Sequence, residues 1–272
     1  MSEAPGRLRD EFAALVGAGE RADLARAALA IARIAHPGLD PAPSLRRLDA
    51  LAAGAPAGAD AGALAAHLFG AGGFRGSETD YYDPRNSCLN DVLERRMGIP
   101  ITLSVVFMEV AARCGLRVEG VGFPGHFLVR ATGGPLPLLL DPFFGGRPVD
   151  EAQLLARYRA LQGVDVPALP PDALAATGTT GILARMLRNL LRIYLQRGDH
   201  PRALDAADLV LVLVPDSADE LRVRGLLYAQ LDCFGAAAAD LRRYAELVPD
   251  APDAARIRER ADRLARAAST VH

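Results

Sequence analysis

The chain has 272 residues, half of them hydrophobic, and 31 basic against 33 acidic side chains leave a net charge of −2. Such a length can bury a core divided between two domains, while scattered arginines in near balance with acids give no basic field to hold nucleic acid. Every basic residue is arginine, which excludes Schiff-base and P-loop lysine chemistry, and no apolar run approaches the roughly 20 residues that cross a bilayer.

The first residues include Arg7, Arg9, Asp10 and Glu11 where a secretion signal needs an apolar stretch, so a cytoplasmic protein is expected. Residues 5–75 read as four helices. Stretches 8–16 and 24–34 carry a 3.6-residue apolar period, the second closed by His36-Pro37-Gly38, and 44–52 and 61–69 follow Pro- and Gly-rich breaks. His36 and His67 stand among alanines and leucines, where an uncharged packing role is expected. The Gly-rich segment 70–76 leads to Tyr81-Tyr82, at the rim of a cleft or in a plain loop.

Residues 87–97 form a charged helix that Asn86 or Ser87 can cap, with Gly98 at the left-handed C-terminal position. A second helix starts at once. Pro100 suits its first turn, the run 101–112 is apolar on nearly every side, and Gly115 caps it, the pattern of a buried central helix. Runs 116–123, 126–131 and 136–141, rich in Val, Leu and Phe between Gly/Pro turns, read as antiparallel strands packed on that helix. Gly120-Val121-Gly122-Phe123-Pro124-Gly125 spells G-x-G-x-x-G but is followed by a strand, so the helix N-terminus that would receive a pyrophosphate is absent.

A helix over 150–161 follows the turn Gly145-Gly146-Arg147-Pro148, and 164–181, with Pro167, Pro170 and Pro171, reads as the interdomain boundary. Beyond it the chain repeats. Leu213-Val214-Pro215-Asp216 recurs as Leu247-Val248-Pro249-Asp250, an offset of 34 that also pairs Tyr194 with Tyr228, Gln196 with Gln230 and Ala203 with Ala237. This is the tetratricopeptide period. Helices over 182–197, 201–212, 218–231 and 234–247 make two repeats, and 252–268 a capping helix, with a protein or peptide partner expected on the repeats. The expected domains are 1–165, its core from about 80, and 178–272. Cys88, Cys114 and Cys233 are odd in number without C-x-x-C spacing and read as buried thiols; no metal or cofactor is implied.

The motifs Tyr81-Tyr82-Asp83-Pro84-Arg85-Asn86-Ser87, Leu89-Asn90, Gly98-Ile99-Pro100-Ile101, Gly122-Phe123-Pro124-Gly125-His126-Phe127 and Leu140-Asp141-Pro142-Phe143 resemble a bacterial family usually named after SirB. That family joins a transglutaminase-like, papain-like core to tetratricopeptide repeats, which implies an α+β, mostly helical chain with a buried helix on a small antiparallel sheet. By the same resemblance His126 matches the catalytic histidine and Asp141 its orienting carboxylate, with Tyr81, Tyr82, Asn86, Asn90 and Pro100 around the cleft. The cysteine position falls near 100–102, where there is no thiol. Proline cannot replace one, since the helix N-terminus and an imidazolium act by lowering a thiol pKa. Thr102 and Ser104 are nearby hydroxyls that a His–Asp pair can activate, and Cys88 opens the preceding helix. Two functions stay open: a non-catalytic or regulatory module that binds a peptide or protein, and an amide hydrolase or acyltransferase using Thr102, Ser104 or Cys88.

Overall fold

The helix α6 (Pro100–Arg113) is the element on which its half of the chain is built. Residues from Pro100 through Phe107, with Val110 and Ala111, are buried, as a helix without a polar face requires. Pro100 opens it, and the Ile99 N–H, an orphan in a bare helix, donates to Thr102 Oγ1 at 3.1 Å. The structure, a computed structural model, describes residues 6–134 and 136–270, with side chains as far as Ser269. Residues 1–5, at the start of the expected first domain, and 271–272, at the end of the second, lie outside the described residues.

Beside α6 runs a five-stranded antiparallel sheet of β3 (Val118–Phe123), β4 (His126–Ala131), β5 (Leu138–Asp141), β6 (Arg147–Pro148) and β7 (Ala176–Thr177), in the order β6-β5-β4-β3-β7. The β3–β4 hairpin turns on Pro124-Gly125, with Gly125 at φ +64°, and pairs Phe123 with His126. The helix α7 (Glu151–Gln162) starts at Asp150, which caps it by accepting from the Gln153 N–H. Its Leu154 packs with Val121, Phe123 and Leu128.

The N-terminal helices are α1 (Arg7–Val16), α2 (Leu24–Ala32), α3 (Ala42–Ala53) and α4 (Ala61–Ala65), the last running on as a π-helical stretch Ala66–Ala71. The charged helix is shorter than its sequence suggests. α5 (Leu89–Arg95) starts after Cys88 and ends on Arg96 at φ 54°, so Arg96, and not Gly98, is the left-handed cap. The chain leaves the helix there because β2 (Met97–Gly98) pairs in parallel with β1 (Arg75–Gly76). Gly98 is needed for close approach: a Cβ on it would stand 2.8 Å from Thr102 Oγ1 and 3.1 Å from both Val92 methyls.

By its internal contacts the chain divides within α8 (Thr179–Arg197), into Leu15–Met186 and Leu187–His272, the latter grouped with most of α1. The second unit holds α9 (His200–Leu213), α10 (Ala218–Gln230), α11 (Phe234–Leu247) and α12 (Ala254–Thr270). Leu211, Leu221, Leu241, Tyr244, Ile257 and Ala261 pack together in one of its buried clusters. Helices α10 and α11 approach closely at Gly225, where a Cβ would lie 2.8 Å from Leu241. Arg224 links three helices: Nη1 donates to Asp208 Oδ1 at 2.7 Å, and Nε and Nη2 reach Asp240 at 2.6 and 2.8 Å. Among the described residues no helix is long and apolar enough to cross a membrane.

Beside this network Asp205 carries a carboxyl pushed up to about 6, by burial first and then by neighbouring Asp208. A carboxyl raised in the folded state stabilises the fold below its ordinary value, and that contribution is lost as pH rises through about 6. Asp205→Asn is therefore expected to raise the thermal midpoint at neutral pH and to leave it unchanged below about pH 4. Neighbouring groups crowd the Asp205 carboxyl, yet the residue as a whole is exposed, so solvent keeps the gain small. Melts at the two pH values check this, and equal midpoints at neutral pH would refute it.

Candidate functional site

His126 opens β4 and Asp141 closes β5, two paired strands whose register sets Val129 opposite Leu140. This brings the side chains together: His126 Nε2 lies 2.7 Å from Asp141 Oδ2, with the residues 2% and 5% exposed. An ionised carboxylate only accepts, so an imidazole paired with one donates through Nε2–H, and in its neutral form it keeps the lone pair on Nδ1. The other carboxylate oxygen, Oδ1, accepts from the Phe143 and Phe144 N–H groups at 3.1 and 3.3 Å. Asp141 therefore has little freedom to rotate, and the ring it holds has little more.

The turn before His126 is clamped from α8. Arg185 Nη2 donates to the His126 carbonyl at 2.6 Å and to that of Phe123 at 3.3 Å, and its guanidinium lies over the Phe127 ring at 5.4 Å. Burial holds this guanidinium below its ordinary value. Aromatic rings surround the imidazole. Phe143 meets it edge-on at 6.0 Å and Phe144 lies at 5.9 Å, while Tyr81 touches Phe143 at 6.3 Å and Tyr82 at 5.3 Å. Tyr82 and Phe144 are about half exposed and form the solvent side of the group. Gly76 admits the Phe143 ring, which a Cβ would meet at 2.7 Å.

No hydroxyl or thiol among the described residues is hydrogen-bonded to His126. Thr102 Oγ1 donates to the Asn86 carbonyl at 2.7 Å while accepting from Ile99, so its hydroxyl joins α6 to the preceding turn. Ser104 Oγ is buried with no hydrogen-bond partner among the described residues. Pro100 is buried at the first position of α6. Asn86 spends its side chain on the Asp80 carbonyl and Arg95, and Asn90 Nδ2 bonds Asp91 at 3.3 Å.

Cys88 is fully buried and its thiol stands with His36 and Asp91, not with His126. Two sequence expectations are corrected here. His36 is not simply a packing residue: its Nε2 lies 2.7 Å from Asp91 Oδ2 and its side chain is 38% exposed. The three cysteines are not all buried, since Cys114 is half-buried and Cys233 exposed. His36 and Cys114 were hidden because their partners, Asp91 and Ala52, are 55 and 62 residues away in the chain. Arg185 was likewise invisible, 59 residues from His126, whereas Phe143-Phe144 directly after Asp141-Pro142 was a usable signal.

A cavity of about 420 Å³ lined by Asp60, Leu116, Arg117, Ala131, Leu136 and Leu138 opens at the far ends of β4 and β5. It holds no paired titratable groups, and the chemistry stays with His126.

Residues 40–188 match the family model of the transglutaminase-like superfamily, and residues 190–262 match a tetratricopeptide repeat model. A UPF0162 protein of Xylella fastidiosa (strain 9a5c) is 47% identical over 67% of this chain and 66% of its own length, so the chain spans slightly under two thirds of that relative. A UPF0162 protein of Pseudomonas aeruginosa is 36% identical over 89% of this chain and 91% of its own. F-box only protein 21 of Homo sapiens is 32% identical over 58% of this chain and 26% of its own. No solved structure matches.

Proposed function

We propose, from the premise that this chain belongs to the transglutaminase-like superfamily and is related to UPF0162 proteins, that it is a cytoplasmic, regulatory binding protein. In this reading it is of the SirB type, its His126–Asp141 pair recognises a peptide carboxamide, and its repeats hold a protein partner. The observation that carries the reading is that, among the described residues, no hydroxyl or thiol is hydrogen-bonded to His126. An imidazole fixed by a carboxylate has one free acceptor, suited to the N–H of an amide. The surrounding rings suit the apolar stem of the ligand. The thiol route has no support at this position, because acyl transfer requires nucleophile and base within hydrogen-bond reach.

The test uses a glutamine-containing peptide. The expected result is a shift of the His126 imidazole resonance on titration, absent in His126→Gln, with no ammonia released above the blank. Ammonia release that Ser104→Ala abolishes, or that alkylation and Cys88→Ala abolish, would overturn the reading in favour of an amide hydrolase. An unmoved imidazole resonance would overturn it as well.

A further inference from the structure

Cys88, Asp91 and His36 make a second group of functional side chains, independent of the His126 site. Cys88 precedes α5 and Asp91 lies one turn into that helix, so their side chains fall on the same side of it; His36 arrives from the end of α2. The three ligand-type atoms all lie within 4.8 Å of one another. The thiol makes no hydrogen bond among the described residues, and Asn90 Oδ1, whose amide bonds Asp91, is a buried acceptor with no partner. Burial pushes the thiol up, with Asp91 and Asp83 adding to it. Without a cation the group is an unbonded thiol beside a His–Asp pair, and it lacks the compensation that buried polar atoms normally find.

We propose that His36 Nε2, Cys88 Sγ and Asp91 Oδ2 bind a divalent zinc ion. One sulfur, one imidazole nitrogen and one carboxylate oxygen form a donor set of zinc type. Bond lengths of about 2.0–2.3 Å set tetrahedral ligand atoms about 3.3–3.8 Å apart, so His36 Nε2 and Asp91 Oδ2, now at 2.7 Å, move slightly apart as the metal enters, and no separation in the group exceeds 4.8 Å. Binding releases the Cys88 proton, and thiolate and carboxylate together neutralise the ion. The fourth position falls to water or to Asn90 Oδ1. The half-exposed His36 ring provides the route in.

The experiment is a titration of metal-stripped full-length protein with cobalt(II), then displacement by zinc. Expected is a thiolate-to-cobalt charge-transfer band with tetrahedral visible absorption, saturating near one equivalent. Cys88→Ser removes the band, and His36→Gln, a change at a half-exposed position, weakens zinc affinity at least about tenfold. A missing band, or zinc affinity unchanged in both variants, would overturn the proposal.

Discussion

Arg224→Met is expected to cost the repeat unit about 3–5 kcal/mol, the usual penalty for removing one partner from a buried ion pair. Its guanidinium serves Asp208 on α9 and Asp240 on α11 from α10, and its side chain is 17% exposed. Burial works against the charge, yet the carboxylates of Asp240 and Asp208 more than offset it and raise the guanidinium. Removing it leaves two carboxylates with little solvent and without the guanidinium that pairs them, and burial already raises Asp208. A further rise makes the folded state bind protons more tightly, so the lost stability returns as pH falls. The midpoint of the repeat-unit transition should drop by more than about 10 °C at neutral pH. Adding Asp208→Asn and Asp240→Asn should recover part of it. A midpoint within a degree or two of the parent would refute the account.

Asp141→Ala should cost about 2–4 kcal/mol by leaving buried donors unpaired. Three donors depend on this carboxylate: the His126 ring and the N–H groups of Phe143 and Phe144. Asp141→Asn keeps the shape and one acceptor, so it should retain most of the stability while losing the ionic partner of His126. Denaturant unfolding of both variants, with the imidazole resonance followed in Asp141→Asn, tests this. Equal stability of Asp141→Ala and the parent would show that the pair is not structural.

What the sequence revealed and what it hid have physical reasons. Helix α6 was legible because an apolar surface on every side leaves it no place but the centre. The 34-residue repeat was legible because each identity reports the same packing. His126 and Asp141 open and close runs that alternate with turns, so their strands carried them together. Arg96 defeated the reading of the α5 end: a non-glycine residue adopts the left-handed cap because Gly98 is needed elsewhere, against Thr102 and Val92. The role of Thr102 was hidden because a hydroxyl at an N3 position can serve catalysis or the backbone, and only the Asn86 carbonyl decides.

The short strand β7 has a further consequence. Its pairing of Ala176 and Thr177 with Val121 and Gly120 ties the proline-rich stretch after α7 back to the sheet that α7 itself covers. That stretch is thus a closed loop, and its ends are fixed by hydrogen bonds that do not depend on its length. Closing a longer loop costs only about 0.6 kcal/mol for each doubling. Length changes that spare Leu169 and Leu174, which pack on the sheet, and the Val166 and Leu174 carbonyls held by Arg159 and Arg130 leave the start of α8, and with it Arg185, at the turn that carries His126.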